Sequence, residues 1–148
     1  DVLYRYTNDG SGTNKWVDAS GPTISPSYYT LIESLSSLTG ATGTVTHDFN
    51  NGMNFYHTSL AANFTANFTN VPTATTYRTF VFTLVLVQGA TAYVPTAVQV
   101  NGTAMTISWL SNSTPSGSAN KTDLVSFTLL YTTSLAASKV LGQWASFG

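Results

Sequence analysis

The run from Arg78 to Gln88, Arg-Thr-Phe-Val-Phe-Thr-Leu-Val-Leu-Val-Gln, constrains the fold more than any other stretch of the chain. Alternate side chains of a strand leave on opposite faces. Phe80, Phe82, Leu84 and Leu86 therefore share one face, and Val81, Val85 and Val87 share the other with Thr79 and Thr83. Both faces are apolar. The run is too short to cross a bilayer as a helix, which takes about 20 residues, and its β-branched and aromatic content argues for a strand covered on both sides. A lone sheet with one wet face does not supply that cover. Either a second sheet and a further layer lie against the strand, or another copy of the chain provides the second cover.

The surface chemistry points the same way. Only 7% of the 148 residues are charged, against about 25% in an average soluble domain. Ser, Thr, Asn and Gln must therefore make the polar surface, and sheet edges lack the lysines that normally block unwanted pairing. Edges of this kind are expected to be covered by neighbours in an assembly. A formal net charge of −1 without a basic cluster gives nucleic acid no electrostatic reason to bind. No apolar run of about 18 residues predicts membrane insertion. The chain has no cysteine, hence neither a disulfide nor a thiolate metal site. Its length suits one domain with a small appendage.

Turn signals and hydrophobic alternation divide the chain into three parts. Residues 1–22 predict an N-terminal β element, a hairpin of Val2–Tyr6 and Lys15–Ala19 around Asn8-Asp9-Gly10-Ser11-Gly12. Residues 23–42 predict a linker. Within it, Thr30 and Glu33 form a capping box, and Leu31, Leu35 and Leu38 on one face before Gly40 predict a short helix. Residues 43–148 predict a β-sandwich. There Asn50-Asn51-Gly52 reads as a hairpin turn, as does Asn101-Gly102. Phe64, Ala66 and Phe68 alternate with Thr65, Asn67 and Thr69, giving one dry and one wet face. Val125, Phe127, Leu129 and Tyr131 form the inward side of a later strand, and Lys139–Trp144 is the last. The expected fold is all-β, an antiparallel β-sandwich of jelly-roll type with a small N-terminal hairpin and linker.

Several of these segments carry a resemblance. They are Thr46-His47-Asp48-Phe49, Phe55-Tyr56-His57, Ala62 through Pro72, Gln88-Gly89-Ala90-Thr91, and Ser118 through Phe127. Together they resemble the distal segment of tail-fibre and virion structural proteins of marine, cyanophage-like tailed bacteriophages, over roughly Gly43 to Gly148. Upstream, Asn8-Asp9-Gly10 with Trp16-Val17-Asp18 is similar to short β units along phage tail fibres. The resemblance implies a homotrimer located in the virion, in contact with other virion proteins and with a host-surface glycan or protein. It implies no catalytic residue, and the alternative role is a capsid-decoration or neck and collar protein.

The residue chemistry is consistent with a non-enzyme that needs no cofactor. His47 and His57 are the only histidines, and the loop between them decides whether they share a face. A structural role is expected for both, with no metal site. Asp48 and Asp123 are the only carboxylates after residue 42, and turn bonding or pairing with Lys121 or Arg78 accounts for them more simply than glycoside cleavage, which needs two facing carboxyl groups. There is no Gly-X-Ser-X-Gly elbow and no phosphate-binding loop. Recognition falls instead to aromatic and loop residues, because Trp and Tyr join an apolar ring to a polar tip. The candidates are Tyr28, Tyr29, Tyr93, Trp109, Asn112 and Asn120, with the Ser111–Lys121 loop as the expected contact surface.

Overall fold

The computed structural model describes residues 4–8, 14–18, 33–73 and 77–148. The chain divides into two units, Asp1–Ile32 and Glu33–Gly148. In the first, β1 (Tyr4–Asn8) and β2 (Asn14–Asp18) pair antiparallel, with Tyr4 opposite Asp18 and Asn8 opposite Asn14. Half of the expected linker, residues 23–32 with Tyr28, Tyr29, Thr30 and Leu31, lies outside the described residues.

The second unit is all-β apart from three single-turn 3-10 segments. Its strands are β3 (Leu35–Thr39), β4 (Gly43–Asp48), β5 (Asn54–Thr58), β6 (Phe64–Thr69), β7 (Arg78–Val87), β8 (Pro95–Val100), β9 (Thr103–Met105), β10 (Ile107–Trp109), β11 (Thr122–Tyr131) and β12 (Lys139–Phe147). They form a six-stranded sheet, β10-β12-β11-β7-β5-β3, and a four-stranded sheet, β4-β6-β8-β9. Side chains from both sheets fill one core.

The connectivity differs from the expected antiparallel one. From β3 to β8 each successive strand lies in the opposite sheet, so the chain winds as a coil. Neighbours within a sheet are then parallel: β3 with β5, β5 with β7, β4 with β6, and β6 with β8. Parallel strands need a crossover between them, and here each crossover is itself a strand of the facing sheet. Only the later part, β7-β11-β12 and the β8-β9 pair, is antiparallel, and β10 adds to β12 in parallel.

Local chemistry explains the departure. Phe49–Asn51 forms a 3-10 turn in which the Asp48 side chain accepts from the Asn50 amide. Gly52 follows at φ 107° and ψ −170°, a conformation essentially restricted to glycine. This wider turn carries the chain across the core to the other sheet, so no hairpin forms at Asn50-Asn51-Gly52. The Asn101-Gly102 turn does join neighbouring strands, β8 and β9, with both residues at positive φ as a tight hairpin turn requires. Asn101 also brackets Val71, accepting from its amide at 3.1 Å and donating to its carbonyl at 2.8 Å.

The predicted short helix is also corrected. Leu35–Thr39 is a strand, in register with Asn54–Thr58 of β5. In a strand a spacing of three sends Leu35 and Leu38 to opposite faces. Leu35 is exposed, and Leu38 packs on the core.

The central strand β7 lies between β11 and β5. Phe80, Phe82, Leu84 and Leu86 face the core and are buried. Phe82 stacks on Phe68 of the facing sheet with ring centroids 4.0 Å apart, a direct contact between the layers.

Candidate functional site

Among the described residues, the outward face of the six-stranded sheet leaves large apolar side chains uncovered. Register places its residues in rows across the strands. Val81 lies beside Thr128 of β11, which lies beside Leu141 of β12 and then Ser108 of β10. A second row runs Ser37, Tyr56, Val85, Leu124 and Ala145. A third joins Thr79, Leu130 and Lys139, and a fourth joins Val87, Thr122 and Phe147.

Five of the large apolar side chains that stand in solvent belong to this face: Leu35 (59% exposed), Val81 (46%), Leu130 (36%), Leu141 (41%) and Phe147 (57%). Lys139 at one corner is the sole ionised side chain in these rows. A polar row of Asn54, Thr83, Ser126 and Gln143, ending at Leu35, crosses the face between these side chains, yet so many large apolar groups exposed on one sheet face mark a contact surface.

At the β10 end the face is concave. A groove of ≈ 410 Å³ lies between Ser108, Leu110, Ser111, Thr128, Leu141 and Gln143. Its rim is the turn Leu110–Asn112, where Ser111 and Asn112 both have positive φ, at 54° and 55°. Two consecutive non-glycine residues in the left-handed region are strained and persist only where the surroundings fix them.

The four recognition candidates among the described residues fall at two places. Trp109 is half-buried over Gly142, 5.7 Å from the Phe127 ring, and with Gly142 it also lines the groove. Asn112 is exposed at the groove rim. Tyr93 and Asn120 lie beside the turn after β7: the Tyr93 amide donates to Gln88 Oε1, and the Asn120 amide donates to the Gly89 carbonyl. Tyr28 and Tyr29 lie outside the described residues.

The two carboxylates after residue 42 both make local hydrogen bonds. Asp123 is fully buried and bonds neither Lys121 nor Arg78; its Oδ2 accepts from Gln88 Nε2 and from the Ser118 amide, each at 2.9 Å. Gln88 Nε2 also donates to the Tyr93 carbonyl, so this cluster staples two loops together. Asp48 accepts from Asn70 Nδ2 and the Asn50 amide, and these bonds hold its carboxyl below the usual carboxylate range.

The histidines lie on opposite sheets. His47 on β4 and His57 on β5 are fully buried and meet across the core, Nε2 to Nε2, at 2.9 Å. Sequence spacing alone could not reveal this, because both side chains reach the core only when the intervening turn changes sheets.

No family model, curated protein or solved structure matches the chain.

Proposed function

We propose that the chain is a structural protein of a bacteriophage particle, a β-sandwich domain of a trimeric tail fibre that presents a host-recognition surface. The observation that carries this reading is the almost uncharged outer face of the six-stranded sheet, with Val81, Leu130, Leu141 and Phe147 exposed on it. At about 4.8 Å per strand and 3.3 Å per residue the face covers roughly 600 Å². That approaches the roughly 800 Å² per partner of a standard protein interface. Three such faces turned toward a common axis would cover Val81, Val85, Leu124, Leu130 and Leu141 without bringing like charges together. Closed symmetric assembly of identical chains is the common solution for such a surface. Loops left on the outside would then contact the host, and repeated weak sites on one particle would give avidity.

Val81→Glu places a carboxylate at the middle of the face while leaving the core residues untouched. The expected result is a folded single chain in place of the trimer, read as mass in solution and as circular dichroism. Thr46→Glu, on the outer side of the four-stranded sheet, should leave the mass unchanged. A Val81→Glu protein that still forms the trimer would overturn the role of this face. Antibody raised against the chain should label tail fibres of intact particles and block adsorption. Labelling confined to the capsid or neck would favour the decoration role.

A further inference from the structure

His47 and His57 form a polar contact inside an aromatic box. The His47 ring lies 4.8 Å from Phe55, 5.2 Å from Phe68 and 6.4 Å from Phe64, and His57 lies 5.5 Å from Phe64. Nδ1 of each imidazole has no partner in the protein. β4 is an edge strand, hydrogen-bonded to β6 alone among the described residues. The imidazole contact thus ties an edge strand to the facing sheet.

We propose that the His47–His57 pair is an acid-sensitive clasp: neutral, it holds β4 against the facing sheet, and on protonation it lets β4 and the outermost turn of the coil come away. One shared hydrogen bond requires one Nε2 to donate and the other to accept, which two neutral rings of complementary tautomer satisfy. Two protonated rings would set N–H against N–H, and even one charge would sit among phenylalanines with no carboxylate in contact with it.

One inward carboxylate shares a row with His57: Asp123 of β11, beyond Leu86 of β7, whose Oδ2 is engaged by Gln88 Nε2 and the Ser118 amide. On β4, Asp48 is bonded outward to Asn50 and Asn70. On β5, Tyr56 points to the outer face, β6 carries no ionisable residue, and Arg78 stands at the far end of β7 from Leu86, the neighbour of His57. Burial, with the neighbouring imidazole adding to it, pushes His47 down to about 3, and burial pushes His57 down to about 4.

The direction of the effect follows. A released ring titrates near 6.5, so below that pH the open form takes up protons that the closed form does not. Closure is fully favoured above pH 6.5, weakens as the pH falls, and levels off toward 4 and 3, where the closed form is protonated too. The opening constant rises about tenfold per pH unit for each ring involved.

Hydrogen exchange of the whole chain at pH 7, 6 and 5, corrected for intrinsic rates, tests this. Amides of residues 43–48 should lose about eightfold protection between pH 6 and pH 5 for one released ring and about 60-fold for two, while those in the middle of β11 keep theirs. A protein carrying His47→Phe and His57→Leu should show no such loss over that interval. Protection of β4 that does not change with pH, or falls equally in both proteins, would overturn the clasp. Imidazole nitrogen resonances of the unaltered chain give a second test that needs no variant. Rings that stay neutral in the closed form at pH 5 support the proposal, and a closed-form ring titrating near 6.5 overturns it.

Discussion

Phe82→Ala is expected to lower the stability of the Glu33–Gly148 unit by about 3–5 kcal/mol, the range found when a buried phenylalanine is truncated to alanine. Phe82 is fully buried on the central strand and stacks on Phe68 of the facing sheet with an interplanar angle of 14°. Phe49 and Phe80 lie around it with ring centroids 6.4 Å away. Removing the ring loses contacts to both sheets and leaves a hole between strands held by their ladders, which limits collapse into the space. Domains are stable by only about 5–15 kcal/mol, so the loss is a large fraction of the whole. Urea denaturation should show the midpoint falling steeply. Val81→Ala, one residue away on the outer face, should change the isolated chain by less than about 1 kcal/mol. Equal losses at the two positions would mean that this core is not where the structure puts it.

Gly142→Val should be the next most damaging change, for a different reason. A Cβ at Gly142 would fall 2.5 Å from Trp109 Cε3 and 2.8 Å from Ile107 Cγ2, inside van der Waals contact. Trp109 cannot simply swing away, because its ring also packs on Phe127. β10 has only three residues and pairs with β12 alone, Ile107 with Val140 and Trp109 with Gly142. Overpacking of this kind costs about 1–3 kcal/mol, enough to detach so short a strand. Urea denaturation should report the loss, with tryptophan fluorescence shifting to the red as Trp109 gains water. The further change Trp109→Ala should remove much of the penalty of Gly142→Val, and a purely additive double variant would argue against the contact.

Much of the strand pattern was legible because alternation reports which way a side chain faces. Phe64, Ala66 and Phe68 are buried between half-buried Thr65, Asn67 and Thr69, as the sequence requires. The two-sided apolarity of the Arg78–Gln88 run likewise anticipated an inner face in the core and an outer face still partly dry. Alternation does not say which strand is the neighbour. Asn50-Asn51-Gly52 has the composition of a hairpin turn, yet the Asp48 cap and the conformation of Gly52 send the chain to the other sheet. That one turn also decides the histidine pair, which no spacing rule could find. Leu35 and Leu38 fit a helical face as well as the two sides of a strand, and pairing with β5 settled the matter.

The candidate surface was legible only in part. Sparse charge predicted that something must cover the chain, but the row of Val81, Thr128, Leu141 and Ser108 exists only once four strands are in register. The strained pair Ser111 and Asn112 is invisible in sequence, since asparagine tolerates positive φ and serine gives no warning of it. Trp109 is a recognition candidate because tryptophan is amphipathic; the absence of a side chain at Gly142, which sequence alone does not pair with it, is what lets its ring pack there beside the groove.

The mass of the purified chain in dilute solution tests the central claim most directly. Assembly through the outer face predicts a particle of three times the chain mass of 15.8 kDa, persisting at micromolar concentration. A stable single chain would contradict it, because the exposed valine, leucine and phenylalanine side chains would then need no partner.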